Sequence, residues 1–92
     1  MQQMQTFVYI LFSPIFDKYY VGQTQDIFNR LGRHNAGTEK STAPYRPWTM
    51  IWYTTKPSRG EAMILEKKLK NLSKARIRKF IEKYSQDETT PP

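Results

Sequence analysis

Residues 6–12 read TFVYILF and residues 18–23 read KYYVGQ. The first is an unbroken run of β-formers, the pattern of a buried strand. Ser13-Pro14 ends it, and Asp17-Lys18 completes a turn region. The second run returns antiparallel, so the two form a hairpin with a longer loop. Tyr9 lies at the centre of the first strand and Tyr20 at the centre of the second, and neighbours on a hairpin can share a face. Gly22, inside the second strand, marks a bulge or a place where another backbone or a ligand comes close.

The pattern extends outward from this hairpin. Residues 25–36 read as a helix with Ile27, Phe28 and Leu31 on its apolar face, Asp26 in its first turn and Gly37 placed to stop it. A polar loop with two prolines follows over 37–47, and WTMIWYTT at 48–55 reads as the third strand. Ser58 and Glu61 form an S-x-x-E capping box that opens a second helix, carried by Ala62, Leu65, Leu69 and Leu72. Ser73 caps a third helix, with Ile77, Phe80, Ile81 and Tyr84 on its core face. The order β-β-α-β-α-α predicts an α+β fold, a small three-stranded mixed or antiparallel sheet flanked by helices. One domain is expected over 1–84, with a polar, frayed tail over 85–92.

Composition narrows the function classes. With no cysteine, disulfides and thiolate metal sites are excluded, and a single histidine, His34, excludes a multi-histidine zinc site. The opening residues MQQMQTF lack the basic start and apolar run of a secretory signal, and no stretch approaches the roughly 20 apolar residues of a membrane span. A cytoplasmic monomer with no membrane partner is expected. The net charge of +7 favours a polyanionic partner, nucleic acid before membrane. Residues 61–84 hold eight Lys or Arg against three Glu, which points to a phosphate-facing surface.

Three positions join Tyr9 and Tyr20 as candidates for chemistry. Arg30 and His34, four residues apart, share one side of the first helix, flanking its apolar stripe. Glu66 follows Leu65 at the edge of a stripe, where an acid is partly buried and suits a metal. Each also has an ordinary structural reading: Tyr9 as core, Tyr20 as a half-buried strand residue, Arg30 paired with Asp26, His34 solvated, Glu66 paired with Lys70.

Together, F-V-Y at 7–9, Y-V-G at 20–22, Arg30, His34 and Glu66 resemble the signature of the GIY-YIG nuclease family. The resemblance runs from Thr6 to Tyr84 and includes a His-Asn-x-Gly step at 34–37, as in short stand-alone bacterial members. The family also contains the N-terminal cutting domain of an excision-repair nuclease, which links it to DNA repair. Phe7 stands where the motif has Gly, and Val8 and Val21 where it has Ile.

The resemblance implies a phosphodiester-hydrolysing endonuclease of low or structure-directed specificity, using one divalent ion, Mg2+ or Mn2+, on Glu66. Tyr9 or Tyr20 would position or deprotonate water with help from the Arg30 cation, Arg30 would clamp a phosphoryl oxygen, and His34 would orient the nucleophile or bond the phosphate. The alternatives are a catalytically silent nucleic-acid-binding module and, behind it, a protein adaptor using Trp48, Trp52 and Tyr53. Arg33, Lys40, Tyr45, Arg46, Lys67, Lys68 and Lys70 are the candidate nucleic-acid contacts, with Tyr45 stacking on an unpaired base and DNA expected before RNA. No base-reading element is evident, so binding should ignore sequence and fall steeply with salt, which a fluorescence titration over salt concentration measures. Strong preference for one duplex sequence at high salt would contradict this.

Overall fold

The computed structural model describes residues 5–85. The chain runs β1 (Thr6–Ser13), β2 (Lys18–Thr24), α1 (Ile27–Ala36), a 3-10 turn at Ala43–Tyr45, β3 (Thr49–Lys56), α2 (Arg59–Lys70) and α3 (Lys74–Ser85). The sheet is antiparallel throughout, in the order β2-β1-β3. The expected order and fold class hold. Of the tail expected at 85–92, Ser85 closes α3 and the remainder lies outside the described residues.

The central strand β1 is buried on both faces, which is why its sequence is continuously apolar rather than alternating. Val8 and Ile10 pack with Val21, Trp52 and the α2 and α3 residues Ala62, Leu65, Leu69 and Ile77. Tyr9 and Leu11 pack on the other face with Ile27, Trp48, Tyr20 and Leu31. A register shift against β3 between Ile10 and Leu11 leaves Ile51 as an extra residue. Ile51 and Trp52 therefore both join the α2 side, as a bulge allows. Trp48 and Trp52 are each 5% exposed. They are core residues, which removes them as an adaptor surface.

Local signals set the helix ends. Asp26 is the N-cap of α1 rather than part of its first turn: its backbone is extended and its carboxylate accepts the Asn29 N–H at 3.1 Å. Gly37 closes α1 at φ 82°, the left-handed conformation that favours glycine. Phe28 is not on the apolar face but 85% exposed. The buried stripe instead runs Ile27, Leu31, His34, at i, i+4 and i+7. Ser58 caps α2 by accepting the Glu61 N–H at 3.2 Å, and Ser73 caps α3 by accepting the Arg76 N–H at 3.2 Å. Asp17, in the β1–β2 turn at φ 52°, ties the hairpin to α3 through Lys74 Nζ at 3.2 Å and Arg78 Nη2 at 2.9 Å.

Gly22 pairs with Tyr9 across the hairpin, and a Cβ at Gly22 would lie 2.6 Å from the Tyr9 hydroxyl. Here glycine is required by a side chain crossing over it, and β2 carries no bulge. Gly22→Ala should therefore destabilise the protein by about 1–3 kcal/mol through overpacking. A Cβ at Gly32, on α1, would meet nothing within 4 Å, so Gly32→Ala should stabilise by up to about 1 kcal/mol. Urea unfolding of the two variants checks both signs.

Candidate active site

The Tyr9 hydroxyl, having crossed Gly22, meets His34 Nε2 at 2.9 Å, and His34 Nδ1 meets Thr42 Oγ1 at 2.8 Å. His34 is 1% exposed and Thr42 equally buried. Burial pushes the imidazole below its ordinary range, overcoming the pull of Glu39, so the ring is neutral and passes one hydrogen bond on each side. With both nitrogens engaged inside the protein, His34 positions Tyr9 and does not reach a phosphate. Its burial corrects the expectation that it flanks the apolar stripe: His34 continues the stripe of Ile27 and Leu31.

The neighbouring residues serve the same joint. Asn35 brackets the Trp48 backbone, accepting its N–H at 2.6 Å and donating to its carbonyl at 3.0 Å. Trp48 Nε1 donates to the Thr42 carbonyl at 2.9 Å. The His-Asn-x-Gly step is thus a structural clasp: His34 holds the hairpin, Asn35 holds the entry to β3, and Gly37 ends the helix.

Tyr9 is itself 1% exposed. Burial drives its phenol pKa well above the ordinary range, the Tyr20 phenol adds to this, and the opposing Arg30 cation does not compensate. Tyr9 is thus held as a neutral hydrogen-bonding group. Tyr20 is only half-buried, with ring centroids 4.9 Å from His34, 6.3 Å from Tyr9 and 6.2 Å from Trp48. Of the two tyrosines it is the one open to a ligand.

Glu66 is on the other side of the sheet. It projects from α2 beside the core that contains Val8 and Val21, whereas Tyr9, Tyr20 and His34 line the α1 side. None of these four lines the rim of β2, the edge strand, where Arg30 of α1 and Gln23, the partner of Glu66, come together. An open depression of about 480 Å3 lies there, lined by Thr6, Gln23, Arg30, Arg59 and Met63 together with the N-terminal end of α1. The Arg30 side chain has no hydrogen bond or ion pair among the described residues, including none to Asp26. Glu66 stands one hydrogen bond behind the depression: its Oε1 accepts from Gln23 Nε2 at 2.8 Å and its Oε2 pairs with Lys70 Nζ at 3.1 Å. The carboxylate is 15% exposed, partly buried as its stripe-edge position implies. Its charge, like that of Arg30, is felt at the Tyr9 phenol. Among the described residues no group of three or more His, Cys, Asp or Glu could hold a metal.

The expected nucleic-acid contacts divide. Lys40, Lys67 and Lys68 are exposed. Lys68, however, lines a separate groove between α2 and α3 with Arg76, Lys79 and Lys83, away from the depression. Arg33 pairs with Glu39 at 3.0 Å, and Lys70 with Glu66. Arg46 folds over Gly37 and donates to the Ala43 and Ala36 carbonyls at 2.9 and 3.4 Å, completing the C-terminal end of α1. Tyr45 is packed edge-on against Phe16 at 5.4 Å and Trp48 at 6.5 Å, with Lys18 4.1 Å over its ring. Tyr45 is half-buried, with one cation over its ring. The basic window at 61–84 is accordingly not one phosphate-facing surface, since Lys70, Lys74 and Arg78 are spent on internal pairs.

A family model for the GIY-YIG catalytic domain matches residues 5–85. The chain belongs to the GIY-YIG family. GIY-YIG domains are nuclease domains, and Tyr9, Gly22 and His34 show why its two short motifs come as a pair: one tyrosine crosses the other strand's glycine. A solved structure, the solution NMR structure of a UPF0213 protein from Bacillus halodurans, is similar to this chain at 26% identity and a TM-score of 0.59, covering 95% of this chain and 99% of that one. No curated protein matches the chain. Among the described residues, no helix is long and apolar enough to cross a membrane.

The depressed pKa of His34 has a consequence for stability. The unfolded chain takes up a proton near pH 6.5 and the folded chain only at lower pH, so stability is retained above that value and lost as pH falls through the folded pKa. The melting temperature should drop between pH 7.5 and 5.5, and His34→Gln should flatten that dependence. Thermal melts at the two pH values check it; an equal drop in the variant would place the pH sensitivity elsewhere.

Proposed function

We propose that this protein hydrolyses nucleic acid phosphodiesters with one divalent cation held at Glu66. The observation that carries the reading is the rim of β2, where Arg30, with no partner among the described residues, borders a depression and a partly buried carboxylate stands one hydrogen bond behind it. GIY-YIG nucleases generally use a divalent metal. The donor set fits a hard, sparsely ligated ion of the Mg2+ class rather than zinc, because one carboxylate and nearby amide oxygen suit it and no nitrogen or sulfur ligand is at hand. Bound there, such an ion would supply charge neutralisation at the scissile phosphate and the leaving oxygen.

The chain's own residues provide the rest. Arg30 takes a phosphoryl oxygen through its planar guanidinium, a donor pair that a lysine cannot reproduce. The half-buried Tyr20 phenol orients the attacking water by hydrogen bonding. The Tyr9–His34–Thr42 chain is a positioning device, holding the two strands and α1 so that Tyr20 and Arg30 are fixed before substrate arrives. Lys40 and Lys67 are exposed cations for the flanking phosphates, without sequence reading. DNA is the expected substrate before RNA, and the protein is read as a cytoplasmic monomer.

The Glu66–Lys70 ion pair favours a second reading, a nucleic-acid-binding module without cutting activity, because an ammonium already neutralises the carboxylate. Plasmid nicking by the purified protein with Mg2+ or Mn2+ separates the two. Cleavage should require the metal, disappear in Glu66→Ala, fall at least about a hundredfold in Arg30→Ala without a change in melting temperature, and recover poorly in Arg30→Lys. Retained DNA binding without metal-dependent nicking would establish the binding module instead.

A further inference from the structure

Gln23 is the one polar side chain that touches Glu66 from the sheet. It sits on the edge strand opposite Val8, and its Nε2 donates to Glu66 Oε1 at 2.8 Å. Its other amide atom, Oε1, is buried and has no hydrogen-bond partner. A second buried oxygen in the same condition, Thr6 Oγ1, lies two residues from Val8 on the same face of the sheet, and both residues line the depression at the rim. Buried polar atoms are nearly always satisfied, so two unpartnered oxygens together at one rim call for a ligand or a rearrangement.

We propose that Gln23 is a second oxygen ligand of the divalent cation at Glu66, its side-chain amide turning over so that Oε1 stands beside Glu66 Oε1. The inference rests on the reading of Glu66 as a metal-binding residue. An amide carries its oxygen and nitrogen at nearly equivalent positions, so a half-turn exchanges them without moving the rest of the side chain. Oε1 then takes the place of Nε2, 2.8 Å from the carboxylate oxygen. Two oxygens in that position repel each other unless a cation binds both. Adjacent ligand oxygens of an octahedral ion with bonds of about 2.0–2.1 Å are separated by about 2.9 Å, so the spacing suits a Mg2+-class ion.

In its present orientation the same amide has the opposite function. With Nε2 toward the carboxylate it shares Glu66 with Lys70, whose ammonium is half-exposed and able to swing away. Gln23 therefore holds the carboxylate in place in one state and ligates in the other.

Electron paramagnetic resonance of free Mn2+, titrated against the full chain, reads the affinity directly. Gln23→Met should weaken Mn2+ binding by about tenfold or more with an unchanged melting temperature, and Gln23→Glu, which offers a charged oxygen, should tighten it. In 15N-labelled protein, Mg2+ should shift the Gln23 side-chain amide signals, and should not do so in Glu66→Gln. If Gln23→Met binds Mn2+ as the unaltered protein does while Glu66→Gln does not bind, Gln23 is no ligand and the Glu66 site stands without it. If Glu66→Gln binds as tightly as the unaltered protein, the Glu66 metal site itself is overturned.

Discussion

The hydrogen bond from the Tyr9 phenol to the buried His34 imidazole is the joint on which the rest of the structure depends. It connects the central strand to α1 across the edge strand, and it can form only because Gly22 leaves room for the phenol to pass. Thr42 closes the other side of the imidazole and brings in the loop after α1, and Trp48 then carries the constraint to the start of β3. Three segments distant in sequence are fixed by one neutral, fully bonded chain. A charged imidazole at that position would be desolvated and unpaired, so burial and hydrogen bonding both select the neutral form.

That joint also determines where a site can be. Because β1 is sandwiched between two cores, the sheet separates Tyr20 and Arg30 on one side from Glu66 on the other. Arg30 and Gln23, the partner of Glu66, come together around an edge, and that edge is β2. Its C-terminal end lies beside the start of α1 and the first turns of α2, which makes the depression there. Arg30 borders that depression from one layer, and Glu66 is linked to it from the other through Gln23.

Much of this was legible in the sequence, where local rules carry the information. The hairpin followed from two β-forming runs, the α2 start from Ser58 and Glu61, and the end of α1 from Gly37. The candidate set of Tyr9, Tyr20, Arg30, His34 and Glu66 came from motif spacing. What failed was contact information. Phe28 adjoins Ile27 in sequence but lies a third of a helical turn away, and the buried stripe passes through His34 instead. Tyr45 and Arg46 read as loop residues open to nucleic acid, yet one packs among Phe16, Trp48 and Lys18 and the other closes the end of a helix. Charge counting over 61–84 could not show which lysines were already paired. Gln23 gave no signal, because its importance comes from Glu66, 43 residues away.

The central claim is that metal and phosphate meet at the rim of β2, between groups from opposite faces of the sheet. Paramagnetic broadening of backbone amide signals by substoichiometric Mn2+ tests it most directly. The account predicts broadening centred on Gln23 and Thr24, the first turns of α1 and the turn of α2 that carries Glu66, so that both layers are affected at once. Broadening confined to Asp17 or Glu61, or absent near Glu66 at millimolar Mn2+, would contradict it.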